Sequence, residues 1–150
     1  MRLKDKVAII TGVSTGIGKA AAIRFAQEGA HLVITRFQNP VTEVEQAAEN
    51  AGRKTIVVKV DMRKTEDVNQ LVDTAIKEFG RIDIAFSNAG ILSWARCEDI
   101  TDEEWDFVVD CDLKGTFRLF RAALPVMKKQ KYGRLLATTS ISGSVWGWPG

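Results

Sequence analysis

The chain has 150 residues, with 21 Lys and Arg against 19 Asp and Glu for a net charge of +2, and it is 45% apolar and 27% charged with two Cys and three Pro. That composition excludes disorder and collagen-like architectures, and a chain this long buries roughly 70% of its unfolded surface, so one core needs no disulfide or metal. Cys97 and Cys111 read as reduced thiols of a cytoplasmic protein, the near-balanced charge gives no footprint for nucleic acid, and no apolar run approaches the ~18 residues of a membrane span.

The basic start leads into Val7–Ile10, an apolar run too short for a secretion signal, which reads as the heart of a buried strand over Lys6–Thr11. A glycine-rich turn follows, then a helix over Lys19–Gln27 that stops at Gly29. The second strand is His31–Arg36, and a short helix over Glu43–Asn50 stops before Gly52. After the third strand, Thr55–Val60, the residues Val68, Leu71, Val72, Ala75, Ile76 and Phe79 recur at helical spacing on one face up to Gly80. The fourth strand is Ile82–Ser87. Thr101-Asp102-Glu103-Glu104 has the form of a capping box, and it opens a helical region from Asp102 to Lys129. That region has Trp105, Val108, Val109, Leu113, Phe117, Phe120 and Leu124 as its expected apolar face, with a break expected near Gly115 or Pro125. The fifth strand is Arg134–Thr139. Strands alternating with helices, and strands apolar without alternation, predict βαβ units around a parallel sheet covered on both faces. No repeat or linker interrupts the chain, which reads as one domain or part of one.

Between the first strand and helix lies Thr11-Gly12-Val13-Ser14-Thr15-Gly16-Ile17-Gly18. A strand that turns directly into a helix N-terminus aims free backbone N–H groups and the positive end of the helix dipole at one point, where a pyrophosphate fits if no Cβ blocks it. Gly12 would make the tight turn, Gly16 permit close approach and Gly18 permit close helix–sheet packing. The spacing, G-x-x-x-G-x-G, differs from the G-x-G-x-x-G fingerprint, so taken alone the segment is also compatible with a tight turn that binds nothing.

Taken together with the rest of the chain, this loop resembles the cofactor motif of the short-chain dehydrogenase/reductase family, spacing included, rather than that of its extended branch with G-x-x-G-x-x-G. The resemblance runs from Lys4 to Gly150. Ser87-Asn88-Ala89-Gly90 matches the family's Asn-Ala-Gly segment, although the family more often has Asn where Ser87 stands. Asp61, next to Met62, falls where the family's adenine-contacting Asp lies. The resemblance implies an α/β, Rossmann-type doubly wound parallel sheet in strand order 3-2-1-4-5. It implies a nicotinamide cofactor held by Gly12, Ser14, Thr15, Gly16, Ile17, Gly18, Arg36, Asp61, Met62, Asn88, Ala89 and Gly90. It also implies hydride transfer to or from a small carbonyl or secondary alcohol. At the end of the second strand an acid would bind a ribose 2′-OH but repel a 2′-phosphate. Arg36 stands there with no acid from Ile34 to Gln38, which favours NADP(H). NAD(H) is the alternative, with Arg36 a solvated surface residue and Thr15 supplying no second basic group.

For catalysis the resemblance places the substrate-orienting serine on Ser140, by its distance to Gly143, with Ser142 as the alternative. The family's relay Asn falls on Asp112, and a carboxylate that only accepts hydrogen bonds is a departure from an amide that also donates. The family's tyrosine, and its lysine one helical turn later, would lie beyond Gly150. Tyr132, the one tyrosine present, precedes the fifth strand and is not assigned that role. Residues 1–150 are therefore expected to be the dinucleotide-binding part of a longer enzyme, its parent a homodimer or homotetramer. A non-catalytic dinucleotide-binding module is the other reading. Ile91, Leu92 and Trp94, with Val145, Trp146 and Trp148, would flank the nicotinamide and suit an apolar or ring-containing substrate, or else serve as packing.

Overall fold

The computed structural model describes residues 1–140, so Ser142, Gly143, Val145, Trp146 and Trp148 lie outside the described residues. Along the chain come β1 (Val7–Ile10), α1 (Gly16–Gln27), β2 (His31–Arg36), α2 (Thr42–Asn50), β3 (Thr55–Lys59), α3 (Thr65–Phe79), β4 (Ile84–Ser87), α4 (Asp102–Gln130) and β5 (Arg134–Ala137). Every pairing is parallel and the sheet order is β3-β2-β1-β4-β5, the order the sequence resemblance implies.

All four residues of β1 are buried, because the central strand is covered on both faces. Val7 and Ile9 join Val33, Val58 and Ala85 in a core against α3 and α4, while Ala8 and Ile10 join Leu32, Ile34 and Ile84 in a second core against α1 and α2. The carboxyl ends of β1, β2, β3 and β4 therefore share one edge, and β1 and β4 diverge there toward helices on opposite faces. Such a divergence is where a doubly wound sheet leaves a crevice.

Three expectations are corrected. Helix α1 opens at Gly16, not Lys19, so two motif glycines belong to its first turn. Helix α4 is continuous for 29 residues, with no break at Gly115 or Pro125. An interior proline costs about 3 kcal/mol, whereas burying side chains such as Leu119 and Met127 on either side returns about 2–3 kcal/mol each, so the helix continues. Gly115 is a contact residue: a Cβ there would stand 3.1 Å from Met62 Cβ. The apolar face of α4 is also different from the one expected. Gly115, Arg118, Leu119, Ala123 and Met127 are buried, whereas Trp105, Leu113, Phe117 and Leu124 are exposed. Small residues let α4 approach the sheet closely, and the larger aromatic stripe is left outside.

At the opposite, amino-terminal edge of the sheet, Asp83 is fully buried. Its Oδ2 accepts the Val7 N–H (2.9 Å) and Arg81 Nε (2.8 Å), its Oδ1 accepts Arg81 Nη2 (2.6 Å), and Lys6 Nζ lies 3.6 Å away. Tyr132 belongs to this edge too, with Lys6 Nζ 4.3 Å from its ring centroid. His31 has a structural part, its Nδ1 accepting the Lys54 N–H at 3.0 Å. Among the described residues no helix is long and apolar enough to cross a membrane, and no group of three or more His, Cys, Asp or Glu is placed to hold a metal.

Candidate functional site

The crevice at the carboxyl edge has a volume of about 580 Å³. Gly12, Ser14, Thr15, Gly16, Ile17, Arg36, Asp61, Met62, Asn88, Ala89 and Gly90 all line it, so eleven of the positions singled out in the sequence converge on one cavity. Gly18 lies beneath it and does not line it.

The floor is a hydrogen-bonded clamp between the ends of four strands. Thr11, fully buried at the end of β1, accepts the N–H groups of Asn88 (2.9 Å) and Ala89 (3.0 Å) on its Oγ1. The Asn88 side-chain amide donates to the carbonyls of Thr11 (3.2 Å) and Gly12 (3.0 Å), and its Oδ1 accepts the Thr138 hydroxyl (2.8 Å). Thr35 accepts the Gly12 N–H at 3.1 Å. Gly12 has φ +67°, and a Cβ there would come within 2.6 Å of Ala89 Cα. A Cβ on Gly18 would collide with the Gly12 carbonyl and the Asn88 amide. Both glycines are therefore demanded by the clamp itself.

Above the floor, α1 presents an uncapped N-terminus. Thr15 at the N-cap is extended, makes no side-chain capping bond, and no acid occupies the first turn. Elsewhere the helix starts are neutralised: Glu43 and Glu45 in α2, Glu66 and Asp67 in α3, and Asp102, Glu103 and Glu104 in α4, where Thr101 also accepts the Glu104 N–H at 3.2 Å. Among the described helices only the one at the cavity keeps its first-turn donors and positive dipole end uncompensated, which suits an anion.

One wall carries Arg36, which has no ion-pair partner among the described residues, whereas Lys19 is tied to Glu43 at 2.8 Å. The other wall carries Asp61, gripped by Arg63: Nε to Oδ1 at 2.9 Å and Nη2 to Oδ2 at 2.6 Å. Those side-chain bonds hold the Asp61 carboxyl below its ordinary range, against the opposing effect of burial. Buried Arg118 fixes this loop from below, donating to the Met62 carbonyl (3.3 Å), to the Asp110 carbonyl and carboxylate (both 2.9 Å) and to Thr65 Oγ1 (3.2 Å).

Asp112 does not line the cavity. Its Oδ1 accepts the Ile91 N–H at 2.9 Å and so fastens the loop after Gly90 to α4, while Thr116 donates to its backbone carbonyl at 2.7 Å and meets Ser87 Oγ at 2.8 Å. Its neighbour Cys111 does line the cavity, and burial first, then the adjoining Asp112 carboxylate, push that thiol up to about 12. Alkylation near neutral pH is therefore expected to modify exposed Cys97 and spare Cys111, as peptide mass mapping would read out. Ser140 is exposed, just past β5 and outside the cavity lining.

Sequence reasoning missed Thr35, Thr138, Arg63 and Arg118. The two threonines could have been found as the strand-end residues flanking Gly12 and Asn88. An arginine in a helical pattern reads as solvated surface, so nothing in the spacing marked Arg118 as buried.

Residues 6–149 match the family described as short chain dehydrogenase. An uncharacterized oxidoreductase of Listeria innocua is 38% identical over 144 residues, which are 95% of this chain and 58% of that protein. An uncharacterized NAD-dependent oxidoreductase of Mycobacterium tuberculosis is 34% identical over 99% of this chain and 59% of its own length. Carveol dehydrogenase from Mycobacterium avium, solved in complex with NAD, superposes with a TM-score of 0.90 at 28% identity, covering 99% of this chain and 58% of that one. The chain thus spans somewhat over half the length of these relatives.

Proposed function

The chain belongs to the short chain dehydrogenase family, and from that premise we propose that residues 1–150 form the dinucleotide-binding domain of a nicotinamide-dependent oxidoreductase acting on a small carbonyl or secondary alcohol. The observation that carries this reading is the uncapped α1 N-terminus above a cradle that a Cβ at Gly12 or Gly18 would fill. The first-turn N–H groups would hold the pyrophosphate, with Ser14, Thr15 and Ile17 around it. Asp61 and Met62 would border the adenine, and Asn88, Ala89 and Gly90 the nicotinamide-side ribose. When bound, the reduced nicotinamide supplies a hydride to the carbonyl carbon while an acid supplies the proton to its oxygen; alcohol oxidation runs both in reverse. Ser140 would orient the substrate oxygen. Asp112 would hold the Ile91 loop and accept a hydrogen bond from a relay water. We place the protein in the cytoplasm, its parent assembling as a homodimer or homotetramer.

The test is titration of the chain with NADPH and NADH by tryptophan fluorescence, followed by cofactor oxidation with a panel of carbonyl compounds. Saturable binding is expected, and its absence for both cofactors overturns the reading.

NADP(H) is the favoured cofactor because Arg36 lines the cavity with no ion-pair partner among the described residues and no acid from Ile34 to Gln38. NAD(H) is the second reading, supported by the names of the Mycobacterium relative and of the NAD-bound carveol dehydrogenase. Arg36→Ala is expected to weaken NADPH about tenfold or more while leaving NADH nearly unchanged, as for loss of one charge-assisted contact. Equal Kd changes for the two cofactors would remove Arg36 from the 2′-phosphate site.

A further inference from the structure

On the sheet face that α1 and α2 cover, β1 and β2 are buried, but no residue of β5 is. Beside β5 a second cavity of about 370 Å³ opens, and it shares no lining residue with the carboxyl-edge crevice. Its floor is apolar: Leu3, Phe25, Ile84, Leu135 and Leu136 line it, and Phe25 is held by stacking on Phe86, with ring centroids 6.5 Å apart. Water gains little on such a floor, whereas hydrocarbon laid there is taken out of water.

The rim has the opposite character. Glu28 is its one carboxylate, and it is already answered: Oε1 accepts Arg24 Nη2 at 2.6 Å, Oε2 accepts the Arg2 backbone N–H at 2.8 Å, and the Met1 amino group lies 3.8 Å from Oε2. Across the cavity Arg134 has no ion-pair partner among the described residues. Its Nη1 donates to the Gly133 carbonyl at 2.8 Å, and its guanidinium carbon stands 4.9 Å from the Tyr132 ring centroid. That guanidinium is therefore positioned while its charge is unanswered, and three guanidinium groups and an amine face a single carboxylate. An apolar floor under a rim with excess positive charge matches a molecule with a hydrocarbon tail and a planar anionic head, which a guanidinium fork meets with two parallel hydrogen bonds.

We propose that this cavity binds a single-chain aliphatic monocarboxylate, its tail on Leu3, Phe25 and Leu136 and its head on Arg134. The volume is that of a small-molecule site, enough for one chain of a free acid. The inference is independent of the dinucleotide reading above.

The experiment titrates the full chain calorimetrically with hexanoate, octanoate and decanoate and with the alkanol of each length, then repeats the series on R134M and L136S, with circular dichroism melts to verify folding. Affinity is expected to rise about fourfold per added methylene until the floor is covered. Each carboxylate should bind about fivefold or more tighter than its alkanol at low salt, as for an ion pair at a partly exposed rim, and the difference should shrink as salt is raised. R134M should bring acid and alcohol of equal length together while keeping the chain-length dependence. L136S should weaken every member of both series. Equal binding of acids and alcohols by the wild type overturns the inference and leaves the cavity an apolar surface for further polypeptide. An undiminished preference for the acids in folded R134M overturns it too, as does an affinity that does not change with chain length or the failure of every acid to bind. NADPH titration of the same samples reports on the carboxyl-edge crevice separately, so either site can fail without the other.

Discussion

Gly12→Ala is expected to destabilise the fold by about 2–5 kcal/mol and to lower dinucleotide affinity by about a hundredfold. Two costs combine. Gly12 has φ +67°, where an L side chain costs about 1–2 kcal/mol, and its Cβ would stand 2.6 Å from Ala89 Cα and 2.8 Å from Ala89 N, a backbone contact that no rotamer relieves. Gly52 separates them, since it also has φ +67° but its Cβ would meet nothing within 4 Å. Gly52→Ala should therefore show the conformational cost alone, about 1–2 kcal/mol, with dinucleotide binding intact. Gly18→Ala makes the opposite comparison. A helical Gly→Ala change ordinarily gains about 1 kcal/mol, yet here the new Cβ would drive apart the Gly12 carbonyl and the Asn88 amide, so the sign should reverse. Urea melts and NADPH titration of the three variants check this. If Gly12→Ala cost no more than Gly52→Ala, the packing of β1 against the Asn88–Gly90 segment would not be what demands glycine.

The parts legible in the sequence were those in which a local pattern and the tertiary role coincide. Unalternating apolar strands separated by helical periods gave the parallel sheet, and the glycine spacing gave the strand-to-helix turn, because only a tight turn against another backbone needs glycine at both Gly12 and Gly18. Boundaries slipped where side chains say little: α1 begins at Gly16, in a glycine-rich stretch with no helical signature. The α4 face was misread because size was taken for burial. Trp105 and Phe117 are the larger residues, but close approach to the sheet selects Gly115 and Ala123, and the space beside them admits Arg118 because Asp110, Thr65 and the Met62 carbonyl satisfy it. Asp61 lines the cavity, but its bidentate engagement by Arg63 depends on the turn after β3, which no periodicity describes.

Asp83→Ala is expected to cost about 3 kcal/mol while leaving the affinity of the folded fraction for dinucleotide unchanged, because the residue sits at the sheet edge opposite the cavity. Little of that cost is Coulombic. Arg81 and Lys6 are substantially exposed and can turn to water, so each ion pair counts for about 1 kcal/mol or less. The larger share is the Val7 N–H, which the substitution would leave buried without an acceptor, at about 1–3 kcal/mol. Asp83→Asn keeps an acceptor for Val7 and should lose about half as much. Burial pushes the Asp83 carboxyl up, but the hydrogen bonds from Arg81 and the Val7 N–H and the charges of Arg81 and Lys6 outweigh it and hold the group below its ordinary 3.8. A folded-state value below the unfolded one means that the unfolded chain binds the proton first. This stabilisation is thus complete above the unfolded value and disappears as pH falls through the folded one. The urea-midpoint gap between the wild type and Asp83→Asn should accordingly be widest near neutrality and narrow as the pH falls below about 4. A gap that stayed constant across that range would assign the stabilisation to packing alone, with the charge of Asp83 contributing nothing.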